Sequence, residues 1–481
     1  MTHTIKIGII HSLSGTMKLN EVPMVQAIEM AVHEINQSGG VLGQQIEAIV
    51  KDCKSIPEEY ASQAETLLTK NDVACVFGCW TSASRKAVKP IIERHQSLLW
   101  YPLQYEGLEE APCIIYTGSC FNQQILPGVK WALSRGFNRC VLVGSDYVFP
   151  RTSNRLISLF VKNDKGTVLG EEYIPLGSTN VSNLIDMIIE CKPDIIFNTL
   201  NGDSNLVFFK KLYQAGIGPE VIPIMSFSLS EIESLSIAEE VKGSYACWNY
   251  FSTIPDDENQ RFVKKCKEYL GPHYPISDPV VTSYSQVYLW KQLVERCKTF
   301  DCEVLSEHLI GTFFNGPSGM IQIQKNHHVG RYARIGRARE DGLFDIIWTS
   351  PSPLPPLPWL GMEEIAISNR SLILEVMKEF PELGHQNWNL RRTNPDHTMV
   401  GEEPAHTTCH IHTMDEKNVS TKNLQIICAV CKSLFKENGE WQSVEAYLSS
   451  THHTKLSHSL CNLCEKVLYP WVEPEPSSEE D

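Results

Sequence analysis

Four short stretches carry side chains suited to holding a small polar molecule. Cys79-Trp80-Thr81-Ser82-Ala83-Ser84-Arg85-Lys86 follows an apolar run at 73–78. Pro102-Leu103-Gln104-Tyr105-Glu106-Gly107 follows a run that ends at Tyr101. Ser145-Asp146-Tyr147-Val148-Phe149-Pro150 and Asn201-Gly202-Asp203-Ser204-Asn205 follow two more. These stretches are rich in rings, hydroxyls and amides and poor in cations. Such groups stack on and hydrogen-bond to an uncharged molecule. Covalent chemistry is not legible. GxxxxGK[ST], HExxH and GxSxG do not occur, and no nucleophile stands beside a base. No histidine–carboxylate run suggests a hydrolytic metal cluster. Nothing in the sequence pairs Glu106 with a second catalytic group, and it reads as structural. His327-His328 reads as a turn. Asp203 fits a helix cap as well as a pocket, and Asp146 fits a loop that positions Tyr147.

A second constellation lies near the C-terminus. Cys428-Ala-Val-Cys431 and Cys461-Asn-Leu-Cys464 are two CxxC pairs with 29 residues between the inner cysteines. Two such pairs can close a tetrahedral zinc site of the structural type. The gap is longer than the common ribbon spacing of ~15–20. Zinc at Cys428, Cys431, Cys461 and Cys464 is the expectation. Redox-active or free thiols are the alternative.

The elements that must position the first group alternate along the chain. Strand-like runs at 5–11, 46–51, 73–78 and 98–101 are separated by helical periodicities such as Val25, Ile28, Val32 and Ile35. Gly39-Gly40 ends that helix. A second series runs from 123 to 226, with strands at 139–144, 171–175, 194–200 and 222–226. Strand–helix alternation predicts parallel sheets covered on both faces. Two such units predict a cleft at the carboxyl ends of their strands. Residues 255–310 read as mostly helical. Met320–Gln324 is expected to pair with Ala333–Arg339, followed by a strand at 343–349. Five prolines between Pro351 and Pro358 close this region near 360.

Composition bounds the partners. The chain has 481 residues, with 42 Lys plus Arg against 57 Asp plus Glu, a net charge of −15. That sign disfavours nucleic acid or an anionic membrane surface. No apolar run reaches the ~20 residues that span a bilayer. The start, Met-Thr-His-Thr-Ile5, lacks a basic head, an apolar stretch and a cleavage site. Sixteen cysteines then suit a reducing cytoplasm. The location is periplasmic instead if a leader precedes this sequence.

The cleft stretches carry a resemblance. Gly78-Cys79-Trp80-Thr81-Ser82-Ala83-Ser84-Arg85-Lys86, Tyr101-Pro102-Leu103-Gln104-Tyr105-Glu106-Gly107, Gly144-Ser145-Asp146-Tyr147-Val148-Phe149-Pro150-Arg151, Asn198-Thr199-Leu200-Asn201-Gly202-Asp203 and Asn326-His327-His328 resemble the urea-binding proteins of bacterial ABC transporters. They are similar, more distantly, to the cytoplasmic amide sensor of amidase operons. The resemblance covers about residues 4–359. It implies an α/β type I periplasmic-binding-protein fold with two Rossmann-like lobes. Lobe one would be 1–120 plus 251–327, and lobe two 121–250 plus 328–360. It implies urea or a short amide as ligand, lobe closure on binding, and no catalysis. Trp80, Ser82, Ala83, Tyr101, Gln104 and Tyr147 would form the pocket, with Asp203 beside them. Ser82 and the Ala83 amide would donate to the carbonyl oxygen, Gln104 would accept from the amino groups, and Trp80 and Tyr147 would sandwich the plane. The segment 427–470 resembles the cysteine-pair tail of bacterial response regulators. Together these imply a soluble sensor with a regulatory protein partner. The alternative is a transporter's substrate-binding component working with a permease. Residues 361–423 are expected to form a helix and polar linker, 424–471 a zinc-ribbon-like module and 472–481 an acidic tail.

Overall fold

Isoleucines and small residues dominate the first strand, β1 (Thr4–His11), and from Ile7 onward both its faces are buried. Strands covered on both sides read as continuous apolar runs rather than alternating ones. A computed structural model describes residues 4–359 and two short strands near the C-terminus. Helix α1 (Lys18–Gln37) packs Met24, Ala27, Ile28, Ala31 and Ile35 inward. Strand β2 (Gln45–Asp52), helix α2 (Pro57–Thr66), β3 (Val76–Gly78), α3 (Ser82–Arg94), β4 (Leu99–Tyr101) and β5 (Ile114–Tyr116) follow. Their sheet is parallel throughout, in the order β2-β1-β3-β4-β5. The link from β4 to β5 holds no helix. It is the loop that carries Gln104, Glu106 and Glu109.

The second series repeats the alternation. It comprises α4 (Ile125–Ser134), β6 (Arg139–Ser145), α5 (Val148–Asn163), β7 (Thr167–Ile174), α6 (Ser182–Cys191), β8 (Ile195–Thr199) and α7 (Asp203–Gln214). Then come β9 (Ile224–Ser226), the short helices α8 (Glu231–Ser234) and α9 (Ala238–Val241), and β10 (Tyr245–Trp248). Period-2 burial splits this core in two. Val141 and Val143 face one hydrophobic cluster while Cys140 and Leu142 face another.

Three helices return to the first core: α10 (Asp257–Leu270), α11 (Asp278–Cys297) and α12 (Cys302–Glu307). The hairpin β11 (Phe313–Gly316) and β12 (Gly319–Gln322) comes next, then β13 (Arg334–Ala338) and β14 (Phe344–Thr349). Here the expected pairing is corrected. Met320 pairs with Asn315 in the hairpin, not with the 333–339 run. Gly316-Pro317-Ser318-Gly319 makes the tight turn, with Gly319 at φ +96°. Strand β13 instead pairs antiparallel with β10 and β14. The second sheet has the order β14-β13-β10-β9-β8-β6-β7.

Buried side chains stitch the passages between the two sheets. Asn249 Nδ2 donates to the carbonyls of Gln123 and Tyr332. Arg331 donates to Thr117 O at 2.7 Å and pairs with Asp278 at 2.6 Å, both side chains buried. A second compact unit, Trp388–Leu468 with Pro474–Asp481, is described only at β15 (Ser433–Phe435) and β16 (Trp441–Ser443), an antiparallel pair. The expected linker, the acidic tail and Cys428, Cys431, Cys461 and Cys464 lie outside the described residues.

Candidate ligand-binding cleft

The first wall begins with a forced turn. Gly78 ends β3 at φ +137°, and a Cβ there would lie 2.1 Å from the Ile10 carbonyl oxygen. Cys79 follows at φ +68°, a region that residues with a Cβ seldom occupy. The turn delivers Trp80 to the carboxyl end of the sheet. Thr81 caps α3, its hydroxyl accepting from the Ser84 amide at 3.0 Å. The amides of Ser82 and Ala83 stand in the first turn of that helix, where no intrahelical acceptor exists. Tyr101, fully buried at the end of β4, donates its hydroxyl to Trp80 O at 2.9 Å.

Beneath this wall lies a buried charge network. Ser82 Oγ donates to Glu106 Oε2 at 2.6 Å and accepts from Arg85 Nη1 at 3.0 Å. Arg85 Nη2 reaches Glu106 Oε1 at 3.2 Å, and Arg85 Nε reaches Glu109 Oε1 at 2.8 Å. Lys86 Nζ takes the other Glu109 oxygen at 2.9 Å, and the Tyr116 hydroxyl also donates to Glu109. The guanidinium lies over the rings of Tyr101 and Tyr105, at 4.9 and 4.6 Å. Burial alone would raise the Glu109 pKa. Arg85, Lys86 and Lys89 outweigh it and hold the carboxyl well below its usual range. Arg85 and Lys86 thus neutralise Glu106 and Glu109, while Lys89 pairs with Glu93 at 3.6 Å.

The second wall is Tyr147, at the N-terminus of α5. Burial pushes its phenol pKa up, with Tyr101 and Glu106 adding to the rise. Among the described residues, three polar bonds run directly from one lobe's side of the cleft to the other's. Gln104 Nε2 donates to Phe227 O at 3.4 Å, Asn20 Nδ2 donates to Glu233 Oε1, and the Asp203 amide donates to Thr16 Oγ1 at 3.2 Å. Gly177 and Gly202 let Thr16 approach, since a Cβ on either would meet it at 3.2 or 2.9 Å. The molecule is therefore in a closed arrangement. Gln104 Oε1 is buried without a partner among the described residues.

A family model for the periplasmic binding protein domain matches residues 5–364. This chain belongs to that family. The periplasmic binding protein is similar to Leu/Ile/Val-binding protein homolog 6 of Brucella suis biovar 1, at 20% identity over 71% of this chain and 89% of that one. It is also 33% identical over 137 residues to limonene hydroxylase of Geobacillus stearothermophilus, but spans only 25% of that protein, so no activity carries over. Among solved structures it resembles the solute-binding protein of an ABC transporter from R. palustris in complex with 4-hydroxybenzoate. The TM-score is 0.68 at 20% identity, covering 74% of this chain and 99% of the other. A leucine-binding protein from Thermotoga maritima matches with TM-score 0.64 and 20% identity, over 73% and 99%. These likenesses carry the fold alone. Among the described residues no helix is long and apolar enough to cross a membrane.

In this periplasmic binding protein, Trp80, Ser82, Tyr101 and Gln104 share one wall, linked by Tyr101 to Trp80 O and through Arg85 to Ser82. Tyr147 faces them. Ala83 sits beside Ser82, half-buried. Asp203 is set apart: it is exposed, its backbone bridges to Thr16, and Gly202 rather than Asp203 takes the cap position of α7. Asp146 pairs with Arg151 at 2.5 Å. Sequence reasoning missed the roles of Arg85 and Glu109 and left Glu106 structural. Three carboxylates in one short loop, Glu106, Glu109 and Glu110, facing Arg85 and Lys86 of the preceding stretch, were the available signal.

Proposed function

We propose that this periplasmic binding protein is the substrate-binding component of an ABC-type uptake system, and that its lobes close on urea or a short amide. The observation that carries the neutral ligand is the balanced network of Arg85, Lys86, Glu106 and Glu109. Both cations are spent on buried carboxylates, so a ligand carboxylate finds no unpaired partner there. What remains toward the cleft is neutral: the α3 amides, Gln104 Oε1 and the Tyr147 hydroxyl. Leucine and 4-hydroxybenzoate, named with the similar structures, both carry carboxylates and suit this wall poorly. The permease of the transporter is the proposed protein partner, and the location is outside the cytoplasmic membrane.

A second reading, the cytoplasmic sensor with a regulatory partner, draws on the thiols. All eleven cysteines of the described residues are unpaired. The matched relatives favour the transporter reading. For Cys428, Cys431, Cys461 and Cys464 the proposal is zinc. Metal content of the purified full chain reads it directly, and zinc-free protein removes it.

Isothermal titration of the full chain with urea, acetamide, formamide, leucine and 4-hydroxybenzoate tests the ligand. Binding confined to the three amides is expected. Binding of either carboxylate with silence from the amides overturns the neutral-ligand reading and leaves the fold intact.

A further inference from the structure

Glu233, on α8 of the second lobe, is a buried carboxyl with no cation beside it. Glu106 and Glu109 are buried as well, but Arg85 and Lys86 pair with them. Among the described residues the printed contacts of Glu233 are all to neutral groups. Oε2 accepts from the Ser230 amide at 2.9 Å and from the Ser230 hydroxyl at 2.7 Å. Oε1 faces Asn20 Nδ2, which comes across the cleft from α1 of the first lobe. A carboxylate buried without a cation is costly, and such a group holds its proton instead. Burial accordingly raises the Glu233 pKa. Oε2 already faces two donors, so the proton belongs on Oε1, opposite Asn20.

Asn20 can receive that proton. Its Oδ1 is buried without a partner among the described residues. A half-turn of the carboxamide brings Oδ1 to Glu233 in place of Nδ2. The titratable groups on the elements packed around Glu233 are engaged elsewhere. On α1, Glu21 binds His11 and Tyr60, and Lys18 is exposed. On α8, Glu231 holds the Ser252 amide at 2.8 Å. The turn after β13 meets Ser234, and there Asp341 binds Arg339 and Glu340 binds Lys242.

We propose that Asn20 and Glu233 form a proton-dependent latch across the cleft. In the closed arrangement Glu233 is the neutral acid and donates its Oε1 proton to Asn20 Oδ1. When the lobes part, Asn20 leaves, water reaches the carboxyl, and the proton passes to water. The closed form therefore holds this proton to a higher pH than the open form. Acid favours closure, and that advantage is lost as pH rises. The latch acts on the open–closed equilibrium, whichever ligand the cleft takes.

Small-angle scattering of the unliganded full chain, from about pH 5 to about pH 8.5, tests it on wild type, E233Q and N20D. The wild-type radius of gyration is expected to grow as pH rises. The E233Q carboxamide offers one donor and one acceptor, as the neutral acid does, so its radius should stay at the acid value. N20D sets a second carboxyl against Glu233 and should enlarge the growth. A wild-type radius that pH does not move overturns the latch. So does a wild-type profile that E233Q reproduces, because the titrating group is then another. Should E233Q not fold, N20D decides, and a profile equal to wild type overturns the latch. Calorimetric titration with urea in two buffers of different ionisation heat gives a second reading. Wild type should take up protons on binding, about one per chain at most, and E233Q none. Urea that binds wild type without proton uptake across this range overturns the latch. Urea that fails to bind brings down the amide reading alone, and the radius, measured without ligand, still decides.

Discussion

His328 shows how one residue's surroundings set its chemistry. Its ring lies 4.2 Å from the Tyr116 ring at 5° between planes. Nδ1 faces the Asn326 carbonyl and must donate to it, and the neutral ring then accepts at Nε2 from the Tyr105 hydroxyl, whose one proton is shared with the Glu109 carbonyl at 3.0 Å. Burial, the largest cause, lowers its pKa from 6.5 to about 3. The folded state thus takes up this proton later than the unfolded one. Stability is whole above pH 6.5 and declines as pH falls toward 3. Between pH 7 and 5 the contribution of His328 itself is expected to fall by about 2 kcal/mol. Glu231, raised by burial to about 8, acts in the opposite direction, so the difference between wild type and the His328 variant isolates it. Guanidinium unfolding across that range reads it, and His328→Asn should flatten the slope. The sequence placed His327-His328 in a turn, and His327 at φ +59° agrees. The stack on Tyr116 was beyond it, because those residues are 212 positions apart and nothing local marks the pair.

At the scale of elements, the turn from β3 into α3 carries the most. Gly78 is there for sterics: both the positive φ and the Ile10 carbonyl exclude a side chain. Gly78→Ala should therefore cost about 3 kcal/mol or more, since strain and a backbone clash add. Differential scanning calorimetry would show a Tm several degrees lower, and an unchanged Tm would refute the assignment. Most of the alternation was legible because parallel strands and amphipathic helices print different periods. Failure came where two pairings compete. The Met320 run could pair with either neighbour by pattern, and the local Gly-Pro-Ser-Gly turn won because closing a short loop costs less entropy. The helix-free loop between β4 and β5 has no period, so its buried acids gave no warning.

For the whole molecule, the closed arrangement rests on contacts between lobes. Asn20 of α1 reaches Glu233 of α8, whose other oxygen takes both the amide and the hydroxyl of Ser230. Burial raises the Glu233 pKa, against which these donors act. Asn20→Ala removes the only bond from α1 to that carboxyl among the described residues. Destabilising the closed state lowers ligand affinity without touching the pocket. A weakening of about fivefold is expected, the scale of one hydrogen bond. Titration calorimetry reads the affinity, and small-angle scattering of the unliganded variant should show a larger radius of gyration. Unchanged affinity and radius together would show that this contact does not hold the lobes.

The sequence by itself determined the two α/β series and the strand ends at which the loops of Trp80, Gln104 and Tyr147 stand, because period and strand-end position are local properties. The pocket roles of Trp80, Ser82, Tyr101, Gln104 and Tyr147 came from resemblance alone. Tertiary structure alone decided which of those groups are donors. A hydroxyl's proton goes to its strongest neighbouring acceptor. For Ser82 that acceptor is Glu106, 24 residues along the chain and brought to 2.6 Å only by the packing of α3 against the loop after β4.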